Sequence, residues 1–191
     1  MAVREIITLG HPTLRQRAHK VTRFGPELKQ LVDDMIETLR QAPGVGLAAP
    51  QVNVPQRVIV VELPEDQEAG TSAELYAFVN PEIVKSSRET EEGAEGCLSI
   101  PGYLGDVSRA TTVVVRGQDA SGKPQRIRAH DYLARIFQHE IDHLEGVLFI
   151  DRVTDPSKIH KVTPEEAELP DAEIHEALAL FTSDSPERIL T

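Results

Sequence analysis

Residues 138–149 read QHEIDHLEGVLF, a stretch with two histidines four positions apart and a glutamate directly after the first. On an α-helix such positions share a face, so His139 and His143 would aim both imidazoles at one point, with Glu140 about 100° around the axis. The alternative is a polar stripe on a solvent-exposed helix. Ile136 lies on the histidine side of this helix, so the histidines have an apolar neighbour. The pattern therefore favours an inward-facing pair that binds a metal ion.

The helix that carries this motif is predicted to begin near Asp131 and to end at Gly146. Its apolar residues recur at helical spacing on one face: Leu133, Phe137, Ile141 and Leu144. Glycine is the common residue just after a helix end, because it adopts the left-handed conformation without strain.

A catalytic metal of this kind usually takes three protein ligands, and the sequence offers one candidate for the third. The stretch EGCLSIPGY (95–103) contains Cys97, the only cysteine of the chain. A lone cysteine is more often a small buried hydrophobic residue. Beside an H-E-x-x-H pair the ligand role becomes the better interpretation, because a thiolate binds divalent metals strongly.

A third segment, GVGLAAPQ (44–51), combines small residues with an amide side chain. Glycine lets another backbone approach closely, and Gln51 supplies an uncharged donor of the kind that stabilises an oxyanion. Tight packing is the alternative interpretation of such a loop.

The remaining patterns predict helices and strands that follow one another. Apolar spacing predicts an amphipathic helix over 26–41, and β-branched and aromatic residues predict strands at 57–63 and 75–80. A hairpin is predicted from TTVVVRGQD and QRIRAH around the turn ASGKP. A last helix is predicted from Ile174, Leu178 and Phe181.

Composition limits the classes of partner. The 191 residues include 20 Lys+Arg and 31 Asp+Glu, a net charge of −11, with no basic patch and no Trp, so nucleic acid is an unfavourable ligand. One cysteine excludes an internal disulfide, and no signal peptide or long apolar run is visible. We therefore expect a cytoplasmic protein with no membrane contact.

The segments GVGLAAPQ, EGCLS and QHEIDHLEG, in this order, resemble the three signature motifs of the peptide deformylases. The opening stretch ITLGHPTLRQRAHKV is also similar to that family, so the resemblance covers roughly residues 3 to 155. It implies an α+β fold, with mixed and largely antiparallel sheets wrapped around the central motif helix.

The resemblance also implies the roles of the site residues. The metal ligands would be Cys97, His139 and His143, and Glu140 would be the general base. Gln51 and the backbone N–H of Leu98 would donate to the oxyanion. A groove lined by backbone near Gly46 and Gly96 would pair with the substrate as an added strand.

The implied reaction is removal of the formyl group from formyl-methionyl nascent polypeptides, with release of formate. The Cys/His/His set suits iron(II), zinc, nickel or cobalt, and the resemblance implies iron(II). A monomer is expected.

Two sets of substrate contacts are expected beyond the motifs. Val45, Leu133 and Ile136 lie near the motifs and are candidates for a methionine pocket, with ordinary core packing as the alternative. Arg109, in GDVSRA, matches a family arginine thought to hold the peptide, with an exposed arginine of no role as the alternative.

The sequence predicts a catalytic domain over 1–160 and an acidic C-terminal extension over 161–191, partly helical. The extension contains eight acidic residues against Lys161 and Arg188, a net of −6. Ribosome docking through this tail is therefore not expected, although some relatives use a basic helix there.

Two rival functions remain open at this point. A zinc peptidase would use the same motif with a downstream third ligand, for which His160 and His175 are the only histidines. A deformylase-like protein without catalysis would bind formylated peptides. Intact Glu140 and Gln51 favour an enzyme.

Overall fold

The computed structural model describes residues 2–64 and 73–162. Helix α1 spans Pro26–Arg40 and helix α2 spans Asp131–Leu144. Proline suits the first position of α1, since its missing N–H has no partner within a helix there. Both helices occupy the places that their apolar spacing predicts. The predicted last helix and nearly all of the acidic extension lie outside the described residues.

Eight strands within residues 2–64 and 73–162 form two sheets. In chain order they are β1 (Gly46–Ala48), β2 (Val58–Leu63), β3 (Glu74–Ser86), β4 (Thr90–Cys97), β5 (Ile100–Ala110), β6 (Thr112–Gln118), β7 (Pro124–His130) and β8 (Ile159–Lys161). The larger sheet has the order β1-β2-β3-β6-β7, and the smaller has the order β4-β5-β8. Every strand pair is antiparallel, and an isolated parallel bridge joins His19 to Gln56.

Within the described ranges, β1 and β4 are edge strands of their sheets. Each therefore has one side of its backbone that no neighbouring strand pairs. These are the strands that carry Gly46, Gly96 and Cys97.

Two hydrophobic clusters cover opposite faces of the larger sheet. Helix α2 packs on one face, where Phe137 contacts Phe78 edge to face at a centroid distance of 5.5 Å. Helix α1 packs on the other face, where Leu31 and Met35 meet Val58 and neighbouring strand residues. Because α2 also contacts β5 of the smaller sheet, it lies at the centre of the fold, as expected for an α+β protein of this type.

Helix α2 ends as its sequence predicts. Gly146 follows the helix with a φ of +74°, in the left-handed region. A β-carbon there would lie 2.7 Å from the carbonyl oxygen of Arg15, so glycine is also needed for space. No helix among the described residues is long and apolar enough to cross a membrane.

Candidate active site

Helix α2 and strand β4 bring three metal-ligating side chains together. The ligand atoms of Cys97, His139 and His143 all lie within 4.8 Å of one another. His139 and His143 are 9% and 1% exposed, so the histidine pair faces inward. The Sγ of Cys97 lies 3.3 Å from Nε2 of His143. A thiolate and two imidazoles form a donor set that fits a single divalent transition metal.

A buried carboxylate orients the first histidine. Nδ1 of His139 lies 2.9 Å from Oε2 of Glu95, which places Nε2 as the nitrogen available to a metal. Burial alone would raise the pKa of Glu95, but hydrogen bonds from Arg109 and His139 outweigh it and hold that pKa well below its usual range. Glu95 is therefore an anion behind His139.

The two imidazoles differ in their electrostatic surroundings. Burial opposes the charged form of His139, but its contacts with Cys97 and Glu95 outweigh burial and raise its pKa. Burial and the nearby His139 both lower the pKa of His143. Nδ1 of His143 is buried without a hydrogen-bond partner in the described part of the chain.

Glu140 is a buried carboxylate beside the ligands. It is 4% exposed, and its Oε2 has no hydrogen-bond partner among residues 2–64 and 73–162. Burial raises the pKa of Glu140 to about 7, which suits a group that takes and returns a proton near neutral pH.

Gly46 provides the space that Glu140 occupies. A β-carbon on Gly46 would lie 2.3 Å from Oε1 of Glu140, well inside van der Waals contact. Glycine is thus required here by the Glu140 side chain itself.

Gln51 is fixed with its amide nitrogen toward the cysteine. Its Oε1 accepts a hydrogen bond from the Ala48 N–H at 2.8 Å, which fixes the orientation of the amide. Its Nε2 lies 3.5 Å from Sγ of Cys97 and 3.3 Å from Oγ of Ser99. Leu98 follows the cysteine, and its side chain would lie 3.3 Å from a β-carbon on Gly44.

The prediction that Arg109 holds the peptide is wrong. Arg109 is 6% exposed, and its guanidinium donates to both oxygens of Glu95 at 2.7 and 2.9 Å and to Asp142 at 2.6 Å. With its donors directed at two buried carboxylates, the side chain supports the histidine helix and has no open face toward a peptide.

The three expected pocket residues lie in one cluster. Ile136 is 5% exposed, whereas Val45 and Leu133 are half-buried and pack against the same hydrophobic cluster beside α2. Gly96 is exposed on the edge strand β4.

Sequence reasoning missed Glu95, Asp142 and Arg135, whose buried side chains lie behind the candidate ligands. Glu95 could have been found, since residues two apart on a strand share a face and Glu95 lies two positions before Cys97. Carboxylates commonly accept the second N–H of a metal-ligating histidine. Asp142 and Arg135 bond to partners distant in sequence, and the helical period marks neither.

Comparison with known proteins gives the family. The model of the family described as Polypeptide deformylase matches residues 3–158. Peptide deformylase from Thermomicrobium roseum is 47% identical over 173 residues, which cover 90% of this chain and 98% of the relative. That from Symbiobacterium thermophilum is 48% identical over 91% of this chain and 77% of the relative.

Solved structures agree. Peptide deformylase from Thermotoga maritima superposes with a TM-score of 0.75 at 40% identity, over 81% of this chain and all of that one. The enzyme from Synechococcus elongatus in complex with actinonin gives 0.74 at 42% identity, over 80% of each chain. The chain therefore belongs to the polypeptide deformylase family, whose members are hydrolases that remove N-terminal formyl groups from nascent peptides.

Proposed function

We propose that Cys97, His139 and His143 hold one divalent metal ion, and that Glu140 and Gln51 act beside it in deformylation. The observation that carries the proposal is the approach of three ligand atoms to within 4.8 Å, next to the buried carboxylate of Glu140, whose Oε2 has no hydrogen-bond partner in the described part of the chain. A cation at this point would compensate the charge of the half-buried thiolate and would bind a water molecule to which the carboxylate could hydrogen-bond.

Iron(II) is the proposed native ion, on the family resemblance. A mixed thiolate and imidazole set also accepts zinc, nickel or cobalt, so the ion found in a purified sample depends on availability during preparation. A divalent ion here supplies Lewis-acid polarisation of the formyl carbonyl and a lowered pKa for the attacking water.

The protein's own groups move the protons. Glu140 takes a proton from the water that attacks the formyl carbon. The carbonyl oxygen gains negative charge, which Gln51 Nε2 and the Leu98 N–H stabilise by donating hydrogen bonds. Glu140 then gives its proton to the departing amine, so the products are formate and a free N-terminal methionine.

The substrate peptide is proposed to lie along the two edge strands. Because β1 and β4 each leave one side unpaired, an extended peptide can add to them near Gly46 and Gly96. Val45, Leu133 and Ile136 are proposed as one wall of the methionine pocket, supported by their shared cluster beside α2.

A zinc peptidase fits the site less well. That reading needs a downstream histidine or glutamate as third ligand. Within the described residues, the group around the two histidines contains Cys97 and does not contain His160; His175 lies outside the part that the structure describes. Family membership favours deformylation over both the peptidase and a catalytically inactive binder.

The remaining proposals concern the whole molecule. We propose a cytoplasmic monomer with a catalytic domain over 1–160 and an acidic extension over 161–191. Its partners are formyl-methionyl nascent peptides, with no nucleic acid or membrane contact and no ribosome docking through the acidic tail. The net charge of −11 supports the absence of nucleic acid binding.

The function is tested by formate release after anaerobic purification with metal analysis. We expect one metal ion per chain and rapid turnover of a formyl-Met peptide. An acetyl-Met peptide should react far more slowly, because the larger acyl group crowds the metal site. Absence of formate release from a metal-loaded, folded protein would contradict the proposal, and Glu140→Ala is the matched inactive control.

A further inference from the structure

Arg135 is a buried arginine that bonds α2 to both neighbouring strands of the smaller sheet. It is 7% exposed and lies one helical turn before His139. Its guanidinium has four acceptors: the carbonyls of Val107 at 2.7 Å, Glu91 at 2.8 Å and Gly93 at 3.2 Å, and Oε1 of Glu95 at 3.1 Å.

Gly93 provides the space in which this guanidinium lies. A β-carbon on Gly93 would be 2.9 Å from Nη2 of Arg135 and 3.1 Å from its Cζ. The φ of Gly93 is not positive, so glycine is required here for room rather than for backbone freedom. Gly93 and Arg135 therefore act as a fitted pair, one on β4 and one on α2.

The need to neutralise the charge of Glu95 does not explain why Arg135 is buried here. Arg109 already donates to both oxygens of Glu95, at 2.7 and 2.9 Å. What Arg135 adds is three bonds to backbone carbonyls, two of them on β4 and one on β5. The contacts of Arg135 fix the position of strand β4. Those of Arg109 fix two carboxylates, Glu95 and Asp142.

That strand carries part of the proposed metal site. Cys97 lies four residues after Gly93 on β4, and Glu95 lies between them and holds Nδ1 of His139. The two histidines are on α2, the helix that Arg135 belongs to. The distance between Cys97 and the histidines thus depends on how β4 is held against α2.

We propose that Arg135, seated over Gly93, is a positioning residue that sets the approach of β4 to α2 and so the affinity and geometry of the metal site. This inference rests on the proposed metal-dependent function. It predicts that loss of the guanidinium weakens metal binding and lowers kcat, while KM for the peptide changes little.

The test uses Co²⁺ as a spectroscopic probe. The dissociation constant of Co²⁺ and the visible bands of the loaded protein are measured for wild type, Arg135→Lys, Arg135→Met and Gly93→Ala. We expect Arg135→Met to weaken Co²⁺ binding about 10- to 100-fold, as for other groups that orient metal ligands, with shifted bands. Arg135→Lys should lose less, because an ammonium reaches some of the same acceptors.

A matched control and a double variant sharpen the result. Arg152 donates to Asp142 at 2.6 and 3.0 Å and has no hydrogen bond to Glu95 or to β4, so Arg152→Met should leave Co²⁺ affinity within about twofold. In the Arg135→Met background, Gly93→Ala should cost no further affinity, because the guanidinium that it displaces is gone.

Several outcomes overturn the inference. One is an Arg135→Met variant with a lowered Tm but wild-type Co²⁺ affinity and spectrum, because that result would show a purely structural role for Arg135. If that variant does not fold, wild-type affinity in both Arg135→Lys and Gly93→Ala overturns it equally. A wild-type protein that binds no Co²⁺ through its thiolate would instead contradict the proposed metal site itself.

Discussion

Sγ of Cys97 lies 3.3 Å from Nε2 of His143, although the two residues are 46 positions apart in the chain. The first ends an edge strand and the second lies in the last turn of the central helix. The packing of the smaller sheet against α2 brings these two metal-binding atoms together. The contact links the fold directly to the chemistry, because both atoms are ligands that a divalent metal accepts.

Glu140→Ala is expected to remove nearly all turnover and to leave metal content unchanged, since Glu140 is proposed to act as the base and is not one of the three proposed ligands. A positioned general base contributes about 10²–10⁴-fold to kcat. Stability should not fall by much, because the change removes a buried oxygen that has no hydrogen-bond partner among the residues that the structure describes. Metal analysis and steady-state kinetics check this, and loss of the metal would count against the assigned roles.

Gln51→Leu is expected to lower kcat about 10²–10³-fold, the usual effect of losing one oxyanion donor. The variant also leaves the buried Ala48 N–H without its 2.8 Å partner, which costs about 1–3 kcal/mol of stability. Urea unfolding separates the second effect from the first. Unchanged kcat in a folded variant would remove Gln51 from the reaction.

Gly46→Ala tests the space around the base. The added methyl would sit 2.3 Å from Oε1 of Glu140, so the carboxylate must move, with a fall in kcat and about 1–3 kcal/mol of destabilisation. In the Glu140→Ala background the same change should be nearly neutral for stability. Equal destabilisation in both backgrounds would show that the two side chains do not compete for this space.

Asp34→Asn tests an electrostatic contact between the N-terminal segment and α1. The Ala2 N–H donates a hydrogen bond to Asp34 at 2.8 Å. This bond and those from Gln30 and Arg4 outweigh the effect of burial, so the pKa of Asp34 lies below its ordinary value of 3.8. A lowered folded-state pKa gives stability that is present above the unfolded-state value and is lost as pH falls through the folded value.

The Asn variant should therefore be less stable at pH 7 by about 1.5 kcal/mol, the low end for a hydrogen bond to a charged group, because Asn keeps one acceptor oxygen. The difference should shrink as pH falls below the ordinary value of 3.8. Urea unfolding across this pH range measures it. Asp33→Asn is the control, because Asp33 lies on the more exposed side of α1 and pairs with Lys29. A difference in stability between wild type and Asp34→Asn that does not depend on pH would contradict the account.

The elements with strong periodic patterns could be predicted from sequence. Helices α1 and α2 and the β6–β7 hairpin follow from apolar spacing and turn residues. Strands β4 and β5 were not predicted, because they contain several glycines, a proline and many acidic residues, all of which are uncommon in strands. The glycines of these strands leave room for Arg135, Leu104 and Phe149, which come from neighbouring elements.

Only those site residues that belong to sequence motifs could be predicted. Spacing on a helix places His139, Glu140 and His143. The need for a third ligand and for an oxyanion donor makes Cys97 and Gln51 candidates, and the resemblance assigns them those roles. The charged residues behind them bond across elements: Arg109 joins Glu95 on β4 to Asp142 on α2. Such contacts depend on packing between segments, so the sequence around Arg109 does not predict its place in the buried cluster.

The central claim is that Cys97 is a metal ligand, and it is tested most directly by equilibrium metal binding to Cys97→Ala and Cys97→Asp. The account predicts weak binding and poor deformylation for the Ala variant with the fold retained, and partial recovery for Asp, whose carboxylate still coordinates. A structural cysteine predicts the reverse, since Ala would be nearly neutral and Asp would bury an unpaired charge. Full metal occupancy and normal deformylation in Cys97→Ala would contradict the account.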